Sequence, residues 1–294
     1  MLHKQRNSGD ARHVPPTVPD MTHLTPDGPV AISLDRATKR FPTKAGGTFT
    51  ALHDVTLDVA RGEFVAVVGP TGCGKSTTLG LVSGLEPASE GRVFVHGRQV
   101  TGIPDGVGYM FQADGVLPWK NVLDNVALGL RYRHTARAEA HERAREWIHR
   151  VGLAGFEDRY PHQLSGGMRK RVAMAQTLIT EPSLLLLDEP FGALDVQTRE
   201  LMQDELLELW SGTGAAVVFV THDLTEAISL ADRVVVMTAG PATVKDVVPI
   251  DLPRPRRVEE IRLTPEFIAL YRQVWDSLRE EVEITRSRGA SRVA

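Results

Sequence analysis

A glycine-rich run between an apolar stretch and a predicted helix constrains the fold of this chain more than any other feature. The run reads Gly-Pro-Thr-Gly-Cys-Gly-Lys-Ser-Thr over residues 69–77 and directly follows the apolar residues 64–68. This spelling matches G-x-x-x-x-G-K-S, a motif that joins a buried strand to a helix and cradles phosphate groups. The alternative is an ordinary Gly-rich turn that closes a βα unit. The strand-loop-helix context favours a nucleotide-binding loop.

The chemistry of the motif assigns a role to each part of the run. Glycines let backbone N–H groups point inward, and the following helix adds its positive N-terminal end. The Lys75 ammonium can then reach the β/γ-phosphates, and the Ser76 hydroxyl can ligate Mg²⁺. We therefore expect ATP contacts from Gly69, Pro70, Thr71, Gly72, Cys73, Gly74, Lys75, Ser76 and Thr77.

Cys73 is the chain's single cysteine. Its position in an anion-binding loop at a helix N-terminus is a setting that lowers a thiol pKa, which predicts a reactive thiol. The alternative is a small residue that fills space. A single cysteine also excludes an internal disulfide and a C-x-x-C metal or redox site.

Composition and charge exclude several classes of protein. The chain has 294 residues, of which 42% are hydrophobic, so it can bury a sizeable core. Its formal net charge of −3 gives no electrostatic footprint for nucleic acid, so we expect no nucleic-acid partner. No apolar stretch approaches the ~18–20 residues that a membrane-spanning helix needs.

The chain divides into a leader, a β-rich stretch and an α/β region. Residues 1–29 are polar and Pro-rich and lack the apolar core of a secretory signal, which predicts a disordered leader. Alternating apolar residues across 31–68 predict strands. Residues 91–97 predict a further strand, and 76–83 predict the helix after the glycine-rich run.

The second half alternates predicted helices with short apolar strands. Residues 136–151 have one charged and one apolar face, which predicts an amphipathic helix inside a helical insertion. The wholly apolar runs 184–187 and 216–220 are typical of parallel strands that are covered on both faces. Further predicted strands cover residues 232–237 and 244–250, and a predicted helix covers residues 265–282.

Two acids end one of these apolar runs. Asp188 stands at the predicted carboxyl end of the strand and is expected to hold Mg²⁺ through water, and Glu189 follows it. Glu189 is expected to act as the general base for the attacking water. An ordinary strand-to-loop junction can also end in two acids, but its pairing with the phosphate loop favours the functional reading.

A short Ser-Gly-Gly segment precedes the predicted helix 168–180. Ser165 can be a plain N-cap. A serine followed by Gly166 and Gly167 at a helix start can also form an anion site.

The order of these three motifs resembles that of the ATP-binding subunits of ABC transporters, from about residue 31 to residue 251. The resemblance implies an α/β fold: a P-loop NTPase core of ABC type with an antiparallel β subdomain and a helical insertion at about 120–165. It also implies an ATPase domain at residues 30–251 and a C-terminal extension at 252–294 with one helix.

The resemblance assigns roles to four more residues of this chain. Gln112, after residues 107–111, would contact Mg²⁺ and the attacking water and would hinge the insertion. Asp195 belongs to the matching D-loop, and His222 matches the family's switch histidine, counted with the catalytic residues. Phe41 stands where the family places an aromatic ring that stacks on adenine.

Two positions depart from the family pattern. Met168 replaces the glutamine that usually follows the Ser-Gly-Gly segment, and Lys170 stands where a second glutamine is common. Three segments indicate a subfamily within this family: Val116-Leu117-Pro118-Trp119, residues 122–130 and residues 251–256. They resemble the corresponding segments of the nitrate/sulfonate/taurine-type importers.

The resemblance also implies partners. It predicts a homodimer in which Ser165 and Gly167 of one copy complete the ATP site of the other. It predicts permease subunits in the membrane and, indirectly, an external substrate-binding protein. The expected location is the cytoplasmic face of the cell membrane. The alternatives are an exporter ATPase, disfavoured by the segment around Trp119, and a soluble ABC ATPase of DNA repair or translation.

Overall fold

The computed structural model describes residues 29–44 and 46–290, so the predicted leader lies outside the described residues apart from Pro29. The strands are β1 (Val30–Pro42), β2 (Thr48–Ala60), β3 (Phe64–Val68), β4 (Glu90–Val95), β5 (Arg98–Gln99), β6 (Val107–Met110), β7 (Leu184–Asp188), β8 (Ala216–Val220), β9 (Arg233–Met237) and β10 (Val244–Pro249). The helices are α1 (Lys75–Ser83), α2 (Val122–Val126), α3 (Leu128–Tyr132), α4 (Arg137–Arg150), α5 (Gly166–Leu178), α6 (Val196–Trp210), α7 (Leu224–Leu230), α8 (Val258–Ile261) and α9 (Pro265–Ala290).

The central sheet carries the phosphate loop. Among the described residues its strand order is β10-β9-β3-β8-β7-β6, with β10 antiparallel to β9 and the other pairs parallel. Every residue of β3, β7, β8 and β9 is buried. These strands are wholly or largely apolar because both of their faces are covered.

The alternation of side chains along β3 separates two hydrophobic clusters. Phe64, Ala66 and Val68 pack into one cluster with the helices, whereas Val65 and Val67 pack into the other. Successive strand residues point to opposite faces, so one short apolar run serves both. The second cluster joins the central sheet to the antiparallel sheet, whose order is β2-β1-β4-β5.

The helical insertion packs against α5 through α2 and α4. The buried residues of α4 are Ala140, Ala144, Trp147 and Ile148. They recur at the spacing of one helical face, which is the amphipathic pattern that the sequence predicts. Asn121 caps α2, because its side chain accepts a 2.8 Å hydrogen bond from the backbone nitrogen of Asp124.

The C-terminal extension differs from the sequence prediction. Residues 252–294 were expected to hold one helix, but α8 adds a single turn before α9, and α9 continues to Ala290 rather than residue 282. The four-residue α8 is too short to show helical periodicity. Buried Glu281 of α9 accepts a 2.8 Å hydrogen bond from the backbone nitrogen of Ala239, after β9. Over the described residues, no helix has the length and hydrophobicity to cross a bilayer.

Candidate active site

The phosphate loop begins where β3 ends and leads into α1. Gly72 has φ 75° and Gly74 has φ 126°, conformations that side chains other than glycine disfavour. A Cβ atom on Gly74 would lie 2.7 Å from Cδ2 of Leu52 and 3.1 Å from the backbone oxygen of Ala51. Strand β2 therefore lies directly over the loop, and the close approach requires a glycine.

Lys75 is folded onto the loop. Its ammonium donates hydrogen bonds to the backbone oxygens of Gly69 (2.9 Å) and Pro70 (3.1 Å), and the residue is 5% exposed. A buried ammonium is stable only when acceptors surround it. The loop carbonyls hold this charge at the mouth of α1, beside the helix end that attracts anions.

Ser76 and Asp188 bring the two predicted metal-binding motifs together. The Ser76 hydroxyl donates a 2.9 Å hydrogen bond to Oδ1 of Asp188, and the Tyr109 hydroxyl lies 3.5 Å from Oδ2. Burial raises the pKa of Asp188, and the charge of Glu189 raises it further, while the Ser76 hydrogen bond opposes the shift. Tyr109 was absent from the predicted site residues, although it lies in the strand before Gln112.

The donors at this point suit Mg²⁺. It prefers oxygen ligands and is usually bound through one or two protein groups plus waters and substrate phosphates. Ser76 supplies a hydroxyl oxygen and Asp188 a carboxylate, within hydrogen-bond distance of each other. Gln112, the third predicted ligand, points its amide elsewhere, to Glu189.

Glu189 is the centre of a second cluster. Its Oε2 atom accepts a 3.3 Å hydrogen bond from Nε2 of Gln112 and lies 3.3 Å from Nδ1 of His222. Glu189 has φ 43°, a left-handed conformation that is costly for a glutamate and that clusters at functional sites. Its backbone nitrogen donates to Val220 of β8 and its backbone oxygen accepts from Gly192. The three predicted catalytic side chains therefore meet at one carboxylate oxygen.

The Ser-Gly-Gly segment forms the start of α5. The Ser165 hydroxyl accepts a 3.2 Å hydrogen bond from the backbone nitrogen of Met168, so Ser165 is an N-cap in this structure. A Cβ atom on Gly167 would lie 2.8 Å from Cγ2 of Thr198, so α5 and α6 begin side by side. Among the described residues, no hydrogen bond joins Ser165, Gly166 or Gly167 to the phosphate loop.

Asp195 caps α6. Its Oδ1 atom accepts a 3.0 Å hydrogen bond from the backbone nitrogen of Thr198, and hydrogen bonds from this helix start lower the pKa of Asp195. Arg199, one turn later, donates to the backbone oxygen of Leu194 and lies 3.4 Å from Oδ2 of Asp223. Arg199 thereby joins the D-loop segment to the residue that follows His222.

A buried acid completes this link. Glu226 accepts hydrogen bonds from Thr221 (2.5 Å) and Gln203 (3.2 Å), and burial raises its pKa. Nε of Arg199 is buried 3.8 Å from Oε1 of Glu226 and has no hydrogen-bond partner among the described residues. Neither Arg199 nor Glu226 was predicted as a site residue from the sequence. The only signal was their spacing, one helical turn after Asp195 and Asp223.

Phe41 lies on β1 near the edge that faces the loop. Lys39, two residues earlier, pairs with Leu52, and Leu52 is the residue that contacts Gly74. The Phe41 ring is partly exposed, and the Lys39 ammonium lies 4.8 Å from its centroid. The Phe41 side chain is thus partly exposed on the sheet that covers the phosphate loop.

The prediction of a reactive Cys73 is wrong in this structure. The residue is 2% exposed and belongs to the cluster between the two sheets. Burial raises the pKa of its thiol, and the opposing effect of Lys75 is smaller. The helix N-terminus does not dominate because the side chain is packed in the apolar cluster between the two sheets.

The chain is similar to known proteins over the same region. The ABC transporter family matches residues 52–192. A taurine import ATP-binding protein of Pseudomonas aeruginosa is 44% identical over 79% of this chain and 90% of its own length. A nitrate import ATP-binding protein of Synechococcus elongatus is 41% identical over 86% of this chain but only 39% of its own length.

The fold of this chain is similar to that of solved ATP-binding cassettes. A dimeric ATP-binding cassette in a post-hydrolysis state, bound to ADP and Pi, has a TM-score of 0.68 and 31% sequence identity, covering 76% of this chain and all of that one. The prediction of an ABC-type P-loop fold is confirmed. The chain belongs to the ABC transporter family, in the group of ATP-binding proteins that includes those of nitrate and taurine import.

Proposed function

We propose that this protein is the ATP-hydrolysing subunit of a membrane importer for a small anion such as a sulfonate, taurine or nitrate. The observation that carries the proposal is the convergence of Lys75, Ser76, Asp188 and Glu189 at one edge of the central sheet. Ligands of open α/β sheets bind at this edge, beyond the carboxyl ends of the strands.

The residues divide the chemistry of hydrolysis among them. The loop N–H groups and the Lys75 ammonium bind and orient the phosphates of ATP. Ser76 and Asp188 would hold Mg²⁺, which would supply positive charge against the phosphate oxygens. Glu189 accepts a proton from the attacking water, whose oxygen bonds to the γ-phosphorus as the bond to the β-phosphate oxygen breaks. ADP and inorganic phosphate leave.

Gln112 and His222 would position the water and the Glu189 carboxylate. Both contact Oε2 of Glu189, at 3.3 Å in each case. A carboxylate that is oriented by two neighbours loses less free energy to reorganisation during the reaction. Phe41 would stack on adenine, because its ring is partly exposed near the loop.

A homodimer would complete the site. Ser165 and Gly167 have no hydrogen bond to the phosphate loop of their own chain within the described region, so a second copy would supply these groups. Asp195 begins α6 beside Gly167 and would join the same interface. The similar solved cassette is dimeric.

A groove beside Gln112 would receive the permease. It has a volume of about 280 Å³ and is lined by β6, by Phe111 directly after it, and by residues of α3 and α5, including Tyr132 of α3. Tyr132 is 76% exposed and Trp119, in the nearby loop, is 72% exposed. Exposed aromatic side chains of this kind mark protein interaction surfaces. The chain would then act at the cytoplasmic face of the membrane, while an external binding protein selects the anion.

Two measurements test this function. The purified chain should release phosphate from ATP only with Mg²⁺, and a chain that binds no nucleotide would contradict the proposal. A tagged chain should also recover a multi-spanning permease from the membrane fraction, and Tyr132→Asp should reduce that recovery without lowering nucleotide affinity. Recovery of an exporter instead, or of a soluble complex with DNA or ribosomes, would favour one of the alternatives.

A further inference from the structure

Lys170 is a charged side chain in the interior of the protein. It lies in the first two turns of α5, and its side chain is 2% exposed. An ammonium group is strongly hydrated in water, so its burial is unfavourable unless anions and acceptors surround it. Nζ of Lys170 donates a 2.9 Å hydrogen bond to the backbone oxygen of Gln112 and lies 3.1 Å from Oδ1 of Asp114.

The Asp114 carboxylate binds α5 at two points. Its Oδ1 atom contacts Lys170, and its Oδ2 atom accepts a 3.1 Å hydrogen bond from Nε of Arg169. Arg169 also donates a 2.8 Å hydrogen bond to the backbone oxygen of Leu164, before the N-cap of α5. Residues 112–114 are therefore fastened to the start of α5 through both backbone and side-chain contacts.

Gln112 is held from two sides. Its backbone oxygen accepts from Lys170, while its side-chain amide donates to Oε2 of Glu189. Lys170 follows Ser165 by five residues on the same helix. One buried ammonium thus joins the residue that contacts Glu189 to the helix that Ser165 caps, across 58 residues of sequence.

We propose that Lys170, paired with Asp114, is a positioning residue that keeps the Gln112 amide aligned with Glu189. The proposal rests on the proposed function, because it gives Gln112 a part in hydrolysis. Loss of the ammonium would leave the Gln112 carbonyl without its donor, and only the contact between Asp114 and Arg169 would still join the segment to α5. ATP binding would not depend on this link, because Lys75 and Ser76 hold the phosphates independently.

The experiment compares three single variants with the wild type. Lys170→Met removes the ammonium but keeps an unbranched apolar stem, and Lys170→Gln keeps a donor for the Gln112 carbonyl. Arg171→Met is the matched control. Arg171 is the next residue of α5, and its guanidinium contacts Glu205 (2.5 Å) and the backbone oxygen of Val151 (3.0 Å), away from Gln112.

The readouts separate positioning from general stability. They are kcat and KM for ATP, the unfolding temperature, and amide hydrogen exchange of peptides that cover residues 111–116, which reports local opening. We expect Lys170→Met to lower kcat about 10-fold to 100-fold with KM within about twofold, since small misplacements can cost that much. Its 111–116 peptides should exchange faster, whereas Lys170→Gln should recover most of the lost kcat.

Arg171→Met should lower the unfolding temperature while leaving kcat and the exchange of 111–116 unchanged. Wild-type kcat in folded Lys170→Met, or an equal loss in Arg171→Met, would overturn the proposal. Should Lys170→Met fail to fold, Asp114→Ala tests the proposal instead, because the Asp114 side chain is partly exposed and its removal is better tolerated. Asp114→Ala should accelerate exchange at 111–116 and lower kcat. Unchanged values there would also overturn it. A wild type without ATPase activity would instead contradict the proposed function.

Discussion

The hydroxyl of Ser76 donates a 2.9 Å hydrogen bond to Oδ1 of Asp188, although the two residues are 112 positions apart in sequence. A hydroxyl has one proton and two acceptor lone pairs. Because the hydroxyl proton points to the carboxylate, the lone pairs of Ser76 remain available to a cation. This contact aligns the end of β7 with the start of α1 and sets the two oxygen donors of the proposed Mg²⁺ site beside each other.

Lys75→Ala should weaken ATP binding severely. The ammonium lies at the mouth of the phosphate loop, and charge-assisted hydrogen bonds of this kind contribute about 1.5–3 kcal/mol each. We expect the dissociation constant for ATP to rise at least about tenfold in nucleotide titration. Lys44→Ala, at an exposed position of the antiparallel sheet's turn, is the control and should bind ATP normally. Wild-type affinity for ATP in Lys75→Ala would contradict the prediction that this loop binds the phosphates.

Glu189→Gln should keep ATP binding and stop turnover. Glutamine retains the shape and an acceptor oxygen for Gln112 but cannot accept the water proton, and loss of a general base typically costs about 10²–10⁴ in rate. Size-exclusion chromatography with ATP should show a trapped dimer, while the wild type elutes mostly as a monomer. The exposed acid Glu260 on α8 gives the control Glu260→Gln. Hydrolysis at the wild-type rate in Glu189→Gln would exclude this glutamate from the mechanism.

Cys73 should react slowly with maleimide in the folded protein. Its thiol is buried and its pKa is raised, so at a given pH the reactive thiolate is scarcer than for an ordinary cysteine. Labelling in denaturant should be at least about tenfold faster. Thr71→Cys in a Cys73→Ser background places a thiol at an exposed position of the same loop. That thiol should label quickly and be protected by ATP, whereas rapid labelling of native Cys73 would contradict its burial.

Glu226→Gln should change how stability depends on pH. Burial raises the folded-state pKa of Glu226 above its ordinary value of 4.5. Below that value both states are protonated. As the pH rises from 4.5 to the raised folded-state pKa, the unfolded chain ionises first, so the wild type loses stability relative to Glu226→Gln by about 1.4 kcal/mol per pH unit.

Denaturant unfolding of both proteins across pH 4.5–8 checks this sign. As the pH rises, the unfolding free energy of Glu226→Gln should increase relative to that of the wild type, and the difference should then level off. Glu260→Gln, at an exposed carboxylate, is the comparison. A difference between wild type and Glu226→Gln that is independent of pH would show that Glu226 is not desolvated.

The sequence by itself determined most element types and the chemistry of each contiguous motif. Residues 64–77 predict strand, loop and helix because apolar runs and glycines act through neighbouring residues. The same locality explains why α4 and the buried strands β7 and β8 agree with the predictions. The ABC resemblance added the roles of Gln112, Asp195 and His222, which no local pattern supplies.

Tertiary structure decided which groups meet and which are buried. The sequence showed Lys170 only as a departure from a family pattern, and the fold turned it into a buried donor to Gln112. A helix-start motif predicted a reactive Cys73, but the second sheet covers the thiol and raises its pKa. Arg199 and Glu226 lie on separate helices and meet only when α6 and α7 pack. Desolvation and ion pairing depend on every element that surrounds a group, so they follow from the assembled fold and not from spacing along the chain.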